Sequence, residues 1–84
     1  MRILIEYYKF STIIEGKAAD REELEEMFRR AIKLRKGNYD GFAELFCSLF
    51  DFKIIKVFKE PAINEKFSYT LDIDTDLILP ILRP

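Results

Sequence analysis

The cleanest hydrophobic pattern in the chain covers residues 67–73, where Phe67, Tyr69, Leu71 and Ile73 alternate with Ser68, Thr70 and Asp72. A period of two predicts a strand with one face on a core and the other in water. Residues 53–59 read the same way, with Ile55 and Val57 set against Ile54 and Phe58, and Pro61 stops the run. The short gap over residues 60–64 suits an antiparallel hairpin between these two strands, with a turn region at 62–66. At the other end, residues 2–14 are rich in Ile, Tyr, Phe and Thr. Both parities are apolar there: Ile3, Ile5, Tyr7 and Ile13 on one, Leu4, Tyr8, Phe10 and Ile14 on the other. That predicts a strand buried on both faces, with a bend or bulge over residues 9–12 because the run is long for one strand.

Between the strand segments the period changes to that of a helix. Over residues 20–36, Leu24, Met27, Phe28, Ala31 and Ile32 form one stripe, with Leu34 at its edge. Asp20 is a good N-cap, and Glu23 three residues later completes a capping box. Acids fill the first turns and bases the last, as the helix dipole favours, and Glu25–Arg29 and Glu26–Arg30 are spaced as ion pairs. Gly37 suits the residue after the helix. A tight link at 38–41 leads to a second helix over 41–50, striped by Phe42, Leu45, Phe46, Leu49 and Phe50. The expected fold is one α+β domain over residues 1–84, in the order strand, helix, helix, strand, strand. A helical hairpin covers one face of a small, mainly antiparallel sheet of three or more strands, and a short apolar tail element follows.

Composition changes this picture mainly by exclusion. The 84 residues hold no histidine, no tryptophan and one cysteine, Cys47. No Ser–His or Cys–His couple, thiolate or imidazole zinc cage, dithiol pair or cofactor motif is present, which argues against most classes of enzyme. Charged residues make up 35% yet sum to −1, so the surface is dense in both signs and has no overall pull toward nucleic acid or anionic lipid. One cysteine fits a reducing compartment. No apolar run approaches a membrane span, and residues 1–10, broken by Arg2, Glu6 and Lys9, lack the core of a secretion signal. The chain is therefore expected in the cytoplasm. Scarce amides and abundant Glu, Lys and Arg are the bias of heat-adapted proteins.

Four constellations carry candidate chemistry. Asp72, Asp74 and Asp76 alternate on what reads as one strand face, near enough to hold a hard cation. The calcium-loop pattern fails there, with Leu77 where glycine belongs and Arg83 where a bidentate Glu belongs. The plainer reading is a solvated face, and no metal is assigned. Arg29, Arg30, Lys33 and Lys36 are placed to meet phosphates at the end of the first helix, although the dipole alone explains bases there. Cys47 reads as a small, half-buried apolar residue. Tyr39, in the link beside Asp40, reads as an exposed interface aromatic. The tail residues Leu77, Ile78, Leu79, Ile81 and Leu82 add apolar surface that so small a domain has little interior to hold.

The stretch Ile13-Ile14-Glu15-Gly16, the helix bearing Glu23-Leu24, the link Tyr39-Asp40-Gly41, then Leu45-Phe46, Leu49 and a following strand resemble the first half of the barstar-like ribonuclease inhibitors. The likeness implies a nuclease inhibitor. It spans about half the chain, and Ala43 and Cys47 stand near places that family fills with acids.

The leading expectation is a small non-catalytic protein-binding module: an inhibitor, adaptor or accessory subunit of the kind phage, plasmid and immunity systems encode. Contact through Tyr39, Asp40 and the tail is expected, with another protein or a second copy as partner, no cofactor and no membrane. The alternative is a nucleic-acid-associated protein using the basic end of the first helix.

Overall fold

The long apolar run at the start of the chain does not stay in one strand. The computed structural model describes residues 1–8, 10–59 and 66–78. In it the run folds back on itself as a hairpin of β1 (Arg2–Tyr7) and β2 (Phe10–Glu15). Tyr7 opposes Phe10 across the turn, and Tyr8 takes φ 61, the left-handed conformation a tight hairpin turn demands. The expected bend is thus a complete reversal. The elements that follow are α1 (Arg21–Arg35), α2 (Phe42–Phe50), β3 (Lys53–Phe58), β4 (Tyr69–Asp72) and α3 (Asp74–Ile78), the last a single wide turn.

The architecture is α+β, with helices packed against a four-stranded mixed sheet in the order β3-β2-β1-β4. The hairpin supplies the two central strands, which explains why both of its parities are apolar. Residues opposed across strands share a face. The pair Ile3–Ile14 and the residue Ile5 point into the main core, whereas the pair Leu4–Ile13 is buried on the other face.

One pairing expectation is overturned. β3 and β4 do not form an antiparallel hairpin. β3 pairs antiparallel with β2 at one edge, and β4 pairs parallel with β1 at the other. The hairpin already occupies the centre, so each later strand adds at a free edge. Alternation within residues 67–73 does hold, with Leu71 and Ile73 buried and Thr70 exposed, although the strand itself is Tyr69–Asp72. The turn expected over 62–66 lies outside the described residues except for Lys66.

The first helix keeps its expected start. Asp20 accepts from the Glu23 amide at 2.8 Å, and the Glu23 carboxylate reaches back to the Ala19 amide. Leu24, Met27, Phe28 and Ala31 are buried, and Leu34 is exposed. At its end Lys36 (φ 53) and Gly37 (φ 92) are both left-handed. Of the two expected ion pairs, Glu26–Arg30 forms at 3.9 Å, whereas Arg29 goes to Glu26 at 2.9 Å and Glu25 pairs with Arg21 at 3.3 Å. Arg29 is one turn from either acid, and the pair three residues apart is the one that forms. The α2 stripe is rotated from the one expected. Phe42, Ala43 and Phe46 are buried and Leu49 is exposed. Phe28 stacks on Phe46 with centroids 4.5 Å apart, and Phe46 meets Phe52 edge-on at 5.2 Å. This aromatic column joins both helices to the start of β3.

Candidate binding cleft

Where the tip of the hairpin meets the start of α2, the packing leaves a cleft of about 440 Å³. Its floor is apolar: Ile5 from β1, Ile73 beyond β4, and Phe42 and Ala43 from α2, with Thr12 from β2 beside them. Tyr7 and Tyr39 form a wall, their rings edge to face at 6.4 Å. The rim carries Tyr8, Phe10 and Val57 on the sheet side and Asp40 and Glu44 on the helix side.

Tyr39 was expected on the surface, and the structure corrects this. It is 4% exposed and belongs to the core. The link turns tightly enough to fold the ring inward: the Phe42 amide donates to the Tyr39 carbonyl, the Asp40 amide to the Asn38 side chain at 3.2 Å, and Arg35 Nη2 to the Gly41 carbonyl at 3.3 Å. Asp40 remains exposed. The Tyr7 phenol is held above its ordinary pKa, first by burial, then by the charge of Asp40 and a side-chain hydrogen bond with it, and by Asp74 and Tyr8. That phenol stays neutral at physiological pH.

Beside the cleft lies the outer edge of the sheet. β3 is exposed from Lys53 to Val57, with Ile54, Ile55 and Val57 at 38%, 46% and 53%. Its pairing with β2 shifts register between Ile13 and Ile14, so Ile55 is the extra residue of a bulge. At the hairpin tip Tyr8 is 78% exposed and Phe10 44%. Sequence reading missed this surface because an edge strand and a central one share the same alternation. The one available signal was the density of apolar residues on both parities near residues 8–10.

The tail behaves differently. Leu77 packs half-buried against the core, and Ile78 closes α3. Leu79, Ile81 and Leu82 lie outside the described residues. The three aspartates do not share a strand face, because the strand ends at Asp72. Asp72 accepts from the Thr75 amide and hydroxyl, Asp76 from the Asp72 amide at 3.0 Å, and Asp74 from the Tyr8 amide at 2.7 Å. Their carboxylates point to different donors, and among the described residues no three His, Cys, Asp or Glu side chains converge as a metal site. Glu6 faces Asp72 across β1 and β4, and its carboxyl is raised by burial and then by that like charge.

Arg29, Arg30, Lys33 and Lys36 are all exposed on α1, with Arg29 and Arg30 drawn to Glu26. Cys47 is half-buried, its thiol pushed up to about 11 by burial and by Glu44. No helix among the described residues is long and apolar enough to cross a membrane. No protein-family model, curated protein or solved structure matches the chain.

Proposed function

We propose that this chain is a small, non-catalytic protein-binding module of the cytoplasm, and that it docks its partner along the outer edge of β3 and the rim beside it. The observation that carries this reading is the exposure of three β-branched aliphatic side chains, Ile54, Ile55 and Val57, on a strand that has no further strand at its outer edge among the described residues. An edge of that kind is the usual template for strand addition by another chain. The non-catalytic part is supported by the absence of histidine and by a thiol held protonated near neutrality.

The partner is a different protein rather than a second copy. Lys53 and Lys56 stand exposed along the same edge, and the bulge at Ile55 interrupts it. The lysines disfavour like-with-like pairing through their charge, and the bulge limits the length of edge that any strand can pair with. A second copy would bring the same lysines against these.

The test is paired capture from a lysate of the source cells, with wild type and the double variant Ile55→Lys, Val57→Lys as baits. Both positions are exposed, so the variant should melt within a few degrees of wild type. A protein recovered stoichiometrically by wild type and lost from the variant supports the reading. Equal recovery by both, or multiple-turnover conversion of a substrate by the pure protein, overturns it.

A further inference from the structure

Resting on the binding-module reading, we infer that the cleft receives an arginine or lysine side chain from the partner segment that lies along β3. Among the described residues, those that line it are apolar, aromatic, hydroxylic or acidic apart from one glycine, and none is basic. Asp40 and Glu44 give the helix-side rim two negative charges. The amino end of α2 opposes them with roughly half a positive charge, and the Arg35 guanidinium on the Gly41 carbonyl and the Lys59 ammonium over the Phe10 ring stand outside the lining, so Asp40 and Glu44 are the formal charges among the described residues that line the cleft. Tyr7, Tyr8 and Phe10 supply ring faces and edges around an apolar floor. A long aliphatic stem ending in a cation suits that combination: methylenes against Ile5 and Phe42, the charged head among the rings and the two carboxylates. A free anion or a neutral apolar ligand leaves the acidic rim without a counterpart.

The route by which such a side chain arrives is also on the molecule. Val57 lines the cleft and sits on the outer edge of β3. It opposes Thr12 of β2, which also lines the cleft. A segment that adds to this edge presents every second side chain on the same face, beside Val57 and over the cleft. The volume, about 440 Å³, is in the ordinary range for a ligand site and holds a long side chain with part of the backbone that carries it.

The experiment is an amide-resolved NMR titration of the whole chain with acetyl-Gly-Arg-Gly-amide and with its citrulline twin, which is nearly isosteric and uncharged. The arginine peptide should shift the amides of Thr12, Gly41, Ala43 and Val57. The citrulline peptide should bind about tenfold more weakly, as should the arginine peptide to an Asp40→Asn, Glu44→Gln variant. If that variant does not fold, Tyr8→Ala, at an exposed ring, replaces it and should weaken binding about threefold. Equal binding of the two peptides, shifts confined to other surfaces, or no shift up to the solubility of the arginine peptide overturns the inference. A partner lost on mutating Ile55 and Val57 would then still stand, so the two readings fail separately.

Discussion

Replacing Gly16 with alanine tests the packing that holds the helical layer to the sheet. A Cβ added at Gly16 would fall 2.5 Å from Phe52 Cγ and 2.6 and 2.7 Å from the two Cδ atoms. Ordinary contact begins near 3.4 Å, so the ring must retreat by about 0.9 Å. It has little room. Phe52 is 5% exposed and meets Phe46 edge-on at 5.2 Å, and Phe46 is fully buried and stacked at 4.5 Å on Phe28. Displacement therefore passes into the aromatic column instead of into solvent. Overpacking of this kind costs about 1–3 kcal/mol. For a domain of this size that lowers the melting temperature by roughly 5–20 °C. Thermal and urea denaturation followed by circular dichroism measure it, with an unchanged urea m-value if only the folded state is affected. Phe52→Leu frees space at the point of collision, so the double variant should be about 1 kcal/mol or more better than the sum of the single ones. A Gly16→Ala protein that melts with wild type, or strictly additive single effects, would show that Phe52 does not lie over Gly16.

Two further predictions concern titration. Glu6 is raised above its ordinary 4.5 by burial and by Asp72, so its ionisation opposes folding. Its favourable contribution is full below the unfolded pKa and is lost as pH rises through the folded value. Glu6→Gln should thus raise the melting temperature at neutral pH and leave it unchanged near pH 4, and a loss of stability at neutral pH would contradict the like-charge contact. The Cys47 thiol, at about 11 against 9.0 for a free thiol, binds its proton more tightly when folded. Stability should therefore fall as pH rises from about 9 to about 11, and Cys47→Ala should flatten that slope. At neutral pH the folded thiolate fraction is about a hundredfold smaller than that of the unfolded chain, so iodoacetamide should label the folded protein far more slowly. Comparable rates in the presence and absence of urea would count against it.

The helices were legible because their signals are local. Asp20, Glu23 and the stripe from Leu24 to Ala31 act within a few residues of one another, and each is found where the pattern puts it. The sheet was legible in content but not in pairing. A two-residue hairpin turn is usually announced by Asn-Gly or Asp-Gly. Here Tyr8 adopts the left-handed conformation, and the Asp74 carboxylate, far along the chain, accepts its amide at 2.7 Å. A turn whose support comes from so distant a residue leaves no local mark, so two strands read as one. With the hairpin unrecognised, the place of β3 and β4 at opposite edges could not be read either. Tyr39 shows the same limit. Its inward turn depends on Arg35 and on the bonds that close the link, and sequence alone showed only an aromatic among turn residues.

The expectation of surplus apolar surface was a statement about quantity, and the fold decides where the surplus goes. Leu77 and Tyr39, both assigned to contact, turn inward and help close the core. Among the described residues nothing extends the sheet beyond β3, where Ile54, Ile55 and Val57 stay exposed, and Tyr8, Phe10 and Val57 stay exposed at the cleft. Isolated exposed apolar residues are ordinary, but a contiguous set on a free strand edge is a liability for a solitary domain. The lysines at positions 53 and 56 and the bulge at Ile55 reduce that liability against copies of the same chain. They do so without removing the aliphatic side chains, which a chain selected only for solubility has no reason to keep. A surface guarded against itself and still apolar is consistent with recognition of a different chain, one whose charge answers the lysines on the edge and the acids at the cleft.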